Sequence, residues 1–181
     1  MVGRETTGER DTAIRAALVD LLGLLWDREI PYQVVGGLAA RAHGATRTLV
    51  DVDVFVPDEG LDTIAEVWRD AVTRPPHRHV GDQWDVRYAR FEVQGVPIEV
   101  GSTHRVAIQG GRSDRWHELA IDLKHFELRQ AFGVSMKVMP LNALVSYKHV
   151  LNRPVDRQDL AAIVLGENAA GRFAHPLGES I

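Results

Sequence analysis

The segment VVGGLAARAHGATRTLVDVDVFVP, Val34 to Pro57, constrains this chain more than any other. An apolar run ends in a glycine pair, Gly36-Gly37. A short helix-forming stretch follows, and then an apolar strand that carries two carboxylates, Asp51 and Asp53. Successive side chains of a strand point to opposite faces. Asp51 and Asp53 are therefore expected side by side, with Val50, Val52 and Val54 packed behind them. Two carboxylates in an otherwise apolar strand repel each other and are costly to bury unpaired. A divalent cation relieves both problems, and Mg²⁺ is usually held by one or two carboxylates plus substrate phosphates. A glycine turn between strand and helix lets backbone approach a ligand closely and aims N–H groups at an anion. Each feature alone has a plainer reading: Gly-Gly is commonly a turn, and Asp-x-Asp commonly faces water. Their order, with thirteen residues between Gly37 and Asp51, joins a phosphate cradle to a metal-carboxylate edge.

With Arg47 and Thr48 just ahead of the acidic strand, this segment resembles the signature of the nucleotidyltransferase superfamily related to DNA polymerase beta. Within it the chain is most similar to the small, stand-alone bacterial members. Those include antibiotic nucleotidyltransferases and the nucleotidyltransferase toxins of toxin–antitoxin pairs. The resemblance implies an α+β fold, a mixed β-sheet flanked by helices with a short C-terminal helical segment. It also implies a third carboxylate on a later strand. Glu99, the lone charge in Val-Pro-Ile-Glu-Val, stands at that place. Aspartate is the commoner family residue there, so Glu99 is a departure. The plainer role for Glu99 is a strand residue paired with Arg87 or Arg90. Near the C-terminus the resemblance implies a lysine-bearing helix and an Arg-x-x-Asp-x-x-Asp run, here Lys148 followed by Arg153, Asp156 and Asp159. Lys148 would then reach the nucleotide triphosphate, since lysine is a compact charge suited to phosphate. Its plainer role is a solvated helix lysine. Asp156 and Asp159 are expected to cap the last helix and orient Arg153 or Arg157 rather than bind metal.

The rest of the chain has the size and patterning of such a scaffold. Its 181 residues suit one domain or one domain with a small appendage. The expected division is a core over residues 1–139 and C-terminal helices, 140–181, packed on it. Residues 1–8 are expected loose. Ile14, Leu18, Leu21 and Leu25 recur at helical spacing, which predicts an amphipathic helix over Glu9 to Asp27. Strands are expected over Tyr32–Val35 and Leu49–Val56, with a short helix over Leu38–His43 between them. A helix is expected over Leu61–Val72, a basic proline-containing loop over Thr73–Gln83, and a hairpin, Trp84–Val93 with Val96–Val100, turning at Gln94-Gly95. Gly101–Trp116 reads as irregular and Glu118–Met139 as strand with a turn at Ala131–Gly133. Pro140 opens a helix, a second helical block follows Asp156, and the tail from Gly166 is expected frayed.

The net charge of −4 gives no broad basic field for nucleic acid. There is no cysteine, hence no disulfide framework and no Cys-based zinc site. No apolar run approaches a membrane span, and a cytoplasmic, membrane-free location is expected. His77 and His79 read as part of a solvated loop or a substrate rim rather than as metal ligands.

The resemblance implies transfer of a nucleoside monophosphate from a nucleoside triphosphate, such as ATP, to an acceptor hydroxyl, with release of pyrophosphate. Asp51, Asp53 and Glu99 would hold two Mg²⁺ ions. Gly36, Gly37, Arg47, Thr48 and Lys148 would bind the nucleotide. A small molecule or an RNA serves as acceptor, the latter through basic stretches such as Arg74–Arg78 and Arg112–Arg115. A cognate antitoxin would accompany the toxin reading. The alternative is a catalytically inactive nucleotide- or partner-binding module on the same fold. A metal-dependent hydrolase using the same carboxylates is a third option.

Overall fold

The computed structural model describes residues 7–110 and 115–173, the side chains of 167–173 excepted. Residues 1–6 and 174–181, from the expected loose ends, and Arg112 of the second basic stretch lie outside them. The first helix, α1 (Thr7–Asp27), buries Ile14, Ala17, Leu18, Leu21 and Leu25, the stripe that its spacing demands. A short strand, β1 (Gln33–Val34), leads into α2 (Gly36–Ala42), which starts on the glycine pair itself. Gly44 follows α2 with a φ of +107°, in the manner of a helix stop.

The acidic strand, β2, spans Val52–Val56 and is shorter than expected. Leu49 and Val50 give their carbonyls to the Arg10 guanidinium of α1 instead. Val50 is 61% exposed, so only Val52 and Val54 pack behind the aspartates. Pro57 then opens α3 (Asp58–Val67), and a single 3-10 turn covers Arg69–Ala71.

Residues Thr73–Gln83 depart most from expectation. They lie mostly in a strand, β3 (Val72–Gly81), antiparallel to β4 (Trp84–Val93). Among the described residues β3 pairs with β4 alone, which makes it an edge strand. Pro75 and Pro76 sit where the register slips between Arg74 and His77, and edges and bulges are where proline is tolerated. A tight turn at Gln94-Gly95, both with positive φ, joins β4 to β5 (Val96–Ser102). A further short strand, β6 (Ala107–Gln109), occurs where irregular chain was expected, and β7 (Trp116–Glu118) begins at the end of that stretch. The hairpin of β8 (Glu127–Ala131) and β9 (Val134–Val138) turns at Phe132-Gly133. Pro140 caps α4 (Leu141–Leu151), and α5 (Pro154–Phe173) continues past Gly166, where fraying was expected.

Among the described residues nine strands form one mixed sheet in the order β7-β6-β4-β5-β2-β1-β9-β8, with β3 added on β4. β2 runs parallel to β5 and antiparallel to β1, and β1 runs parallel to β9. Val52, Val54, Ile98, Val100, Ala89 and Phe91 are all buried. They form the sheet face covered by α1 and α3. The opposite face is left for Asp53 and its neighbours, with α2, α4 and α5 gathered at its side. No helix among the described residues is long and apolar enough to cross a membrane.

Candidate active site

Strand register builds this face in two rows. In the first, Asp53 of β2 is opposite Glu99 of β5, Glu99 is opposite Arg90 of β4, and Arg90 is opposite Arg74 of β3. One residue pair further on, Phe55 is opposite Gly101, Gly101 is opposite Tyr88, and Tyr88 is opposite His77. The first row is charged and the second is aromatic. Gly101 is small for a steric reason: a Cβ there would lie 2.6 Å from the Phe55 ring. The rings of His77 and His79 lie 4.9 and 5.9 Å from that of Tyr88. The histidines thus belong to an aromatic wall and not to a solvated loop.

A cavity of about 290 Å³ opens over these rows. Asp51, Asp53 and Glu99 all line it, together with Gly37 and Arg47 from the α2 side and Tyr147 and Arg153 from the helical side. Asp53 is half-buried. Burial, and then the charges of Asp51 and Glu99, push its carboxyl up to about 8, against the partial relief of Arg153 and Lys148. Burial likewise raises Glu99, with Arg90 opposing and Asp51 adding to the shift. The Glu99 carboxylate leans towards the Arg90 Nε at 3.8 Å. Among the described residues no trio of acidic or imidazole side chains is drawn tightly enough together to ligate one ion. The donor set is nevertheless all oxygen, and it is short of positive charge. Those are the features a hard divalent cation answers.

The glycine pair has a packing role of its own. Gly36 has a φ of +63°, which favours glycine. A Cβ there would meet the Asp53 Oδ2 at 2.0 Å, and one on Gly37 would meet the Arg47 Nη2 at 2.2 Å. Each glycine makes room for one of the polar groups at the cavity. The first N–H groups of a helix also lack intrahelical partners, and Gly37 is among the lining residues.

Two expected nucleotide ligands stand elsewhere. Thr48 is exposed and does not line the cavity. Lys148 is 1% exposed and lies outside it as well. Its Nζ donates to the Asp156 Oδ1 at 3.1 Å and to the Asp159 Oδ2 at 2.9 Å, both wholly buried. An ammonium so enclosed is taken up by two carboxylates on the next helix. Asp156 does act as a cap, accepting from the Arg153 backbone N–H at 3.0 Å and from its Nε at 2.8 Å. Asp159 holds Arg47, whereas Arg157 turns to the Asn152 carbonyl.

No protein-family model matches the chain, and no curated protein does so either. Solved structures do. One is a Thermotoga maritima protein described as a nucleotidyltransferase, at 17% identity and a TM-score of 0.59 over 83% of this chain and 93% of that one. The chain has the nucleotidyltransferase fold. The lincosamide antibiotic adenylyltransferase LnuA, solved with lincomycin bound, is similar at 12% identity and a TM-score of 0.55, over 81% of this chain and 94% of its own. The antibiotic-resistance factor ANT(2″)-Ia, solved in solution, is similar at 16% identity and a TM-score of 0.54, over 92% and 87%. On this nucleotidyltransferase fold the sequence reading missed the aromatic wall, Trp84, Tyr88 and Tyr147, and placed Arg153 only within a motif. Alternation in Trp84–Tyr88 was the available signal, since it puts Trp84, Val86 and Tyr88 on one face. The signal for Tyr147 was its helical spacing, three residues after Leu144 and four before Leu151, which puts it on the buried face of α4, where burial raises its hydroxyl above the ordinary phenol range.

Proposed function

We propose that this chain transfers a nucleoside monophosphate from a nucleoside triphosphate to an acceptor hydroxyl, with Asp51, Asp53 and Glu99 holding Mg²⁺. The observation that carries this reading is the register pair Asp53 and Glu99 on adjacent parallel strands, sharing one cavity with Asp51. Bound Mg²⁺ would neutralise charge on the phosphates and lower the pKa of the acceptor hydroxyl. The protein's own part is placement and charge. Gly36 and Gly37 bring the start of α2 against the phosphates. Arg47 adds a fixed cation on the same side. The acceptor oxygen attacks the α-phosphorus, the bond from that phosphorus to the β-phosphate bridging oxygen breaks, and pyrophosphate leaves. Glu99, with its pKa raised by burial, takes the hydroxyl proton. Thr48 and Lys148, outside the cavity, are given no phosphate contact.

LnuA, solved with lincomycin, and ANT(2″)-Ia, an antibiotic-resistance factor, are small-molecule precedents on this fold. The aromatic row offers such an acceptor a flat docking surface. The row of Arg74 and Arg90 favours a second reading, an RNA acceptor, and with it a toxin that has an antitoxin partner. Salt-sensitive binding of tRNA separates the two. The decisive assay mixes protein, Mg²⁺, labelled nucleoside triphosphates and acceptors. Acceptor-dependent pyrophosphate release is expected, and its persistence in Asp53→Ala would falsify the assignment. Phosphate release without acceptor would mean a hydrolase. Absence of Mg²⁺ binding in a calorimetric titration would mean an inactive module.

A further inference from the structure

Five charged side chains run in unbroken contact around the helical side of the cavity. The Arg47 Nε donates to the Asp159 Oδ1 at 2.8 Å, and the Asp159 Oδ2 accepts from Lys148. Lys148 also donates to the Asp156 Oδ1, and Asp156 accepts from the Arg153 Nε at 2.8 Å and Nη2 at 3.1 Å. Only the two arginines at the ends line the cavity. The three groups between them are at most 1% exposed. Three cations face two carboxylates, so the chain of contacts carries an excess positive charge, and its ends present that charge to the cavity.

A guanidinium is a planar fork that can spend one edge on a carboxylate and still donate elsewhere. Arg47 uses its Nε on Asp159, while its Nη2 lies against Gly37, where a Cβ would collide with it. It is thus fixed beside the glycine turn. Arg153 is held through Nε and Nη2 by Asp156 at the start of α5. Among the described residues Lys148 is the one that touches both anchoring carboxylates. Without it they would face each other buried and repel.

We propose that Arg47 and Arg153 are the two prongs of a clamp for the triphosphate, and that Lys148 is a positioning residue. It sets both prongs through Asp159 and Asp156 and touches no phosphate itself. The clamp takes its ligand class from the nucleotidyl-transfer reading, but it can be tested apart from it.

The probe is tripolyphosphate with Mg²⁺, titrated calorimetrically into the full chain. It has no base, sugar or acceptor, so it reports the clamp whether or not transfer occurs. Arg47→Gln and Arg153→Gln should each weaken binding about tenfold. Asp159→Asn leaves Lys148 paired with Asp156. It should weaken binding in the parent chain but add less than about twofold to Arg47→Gln, because the two act as one unit. Acetylation of amines, read residue by residue by mass spectrometry, gives a second measure that needs no variant. Lys148 should stay unmodified with and without tripolyphosphate while exposed Lys124 reacts. Undiminished binding in either arginine variant, full additivity of Asp159→Asn with Arg47→Gln, or acetylation of Lys148 that tripolyphosphate suppresses would each overturn the proposal. The expected pattern in a chain that transfers nothing would support the clamp and count against the transfer reading alone.

Discussion

Two sets of acidic side chains lie near Arg153, and they have opposite fates. Asp156 is wholly buried. Burial raises its pKa, yet hydrogen bonds and charge from Arg153 and Lys148 outweigh that and hold the carboxyl below its ordinary value. Asp53 is less enclosed, but burial and then Asp51 and Glu99 drive it up to about 8. Depth is therefore not what separates them. The supply of cations is. The helical pair Asp156 and Asp159 has its counter-charges built in, from Lys148, Arg47 and Arg153. The strand set Asp51, Asp53 and Glu99 has Arg90 at 3.8 Å from Glu99, and the charges of Arg153 and Lys148 relieve Asp53 only in part. An acid cluster that the protein neutralises holds the fold together. One left short of counter-charge at a cavity would be relieved by an outside cation.

Substitutions in the two sets should accordingly fail in different ways. Asp53→Ala is predicted to cost about 10⁴-fold in transfer rate, some 5 kcal/mol of barrier, measured as pyrophosphate release. Its thermal midpoint without metal should not fall, since the group removed is one whose ionised form folding disfavours. Lys148→Met is predicted to do the reverse on stability. Taking one partner from a buried ionic group costs roughly 3–5 kcal/mol, and for a chain of this size the midpoint should drop by about 10 °C. Calorimetry would decide it. A Lys148→Met chain as stable as its parent, or an Asp53→Ala chain that melts like the lysine variant, would erase the distinction between the two clusters.

The two sets were not equally legible in the sequence. Asp51 and Asp53 could be placed together because the strand period is local. The β4–β5 hairpin was legible from Gln94-Gly95 between apolar runs, and α1 from its stripe. That Glu99 would stand opposite Asp53 depends on parallel pairing of β2 with β5, which no spacing encodes and only the family resemblance suggested. The burial of Lys148 was not legible because lysine is rarely buried. Its partners stand 8 and 11 residues away on another helix, and Arg47 is 112 residues from Asp159. Such contacts are made by helix packing. The strand β3 was hidden for a local reason: arginines, histidines and two prolines on an edge strand blur the alternation that marks a strand.

A pH titration sharpens the contrast further. Asp53 binds its proton more tightly in the folded chain than in the unfolded one, with a pKa of about 8 against 3.8. Between those values the folded state holds a proton that the unfolded state has released. Metal-free stability should therefore be highest at the acidic end of that window and decline as pH rises from about 4 to 8, by a few kcal/mol at most. Asp53→Asn should flatten that decline. Denaturant midpoints across the range would show it, and a rising profile in the parent chain that Asp53→Asn abolishes would contradict the assigned shift.

The smallest effect concerns whether the charged and aromatic rows act independently. Gly101→Ala places a methyl 2.6 Å from the Phe55 ring. The ring is nearly buried, so it can yield only by displacing neighbours, at a cost of about 1–2 kcal/mol in urea unfolding. Because Gly101 lies one residue pair beyond Glu99 on β5, the methyl disturbs Phe55 and Tyr88 before it reaches Asp53. Acceptor KM should then rise by several-fold while Mg²⁺ affinity changes less than about twofold. Equal losses in both would show that the rows move as one surface, and that the acceptor wall cannot be altered without disturbing the carboxylates beside it.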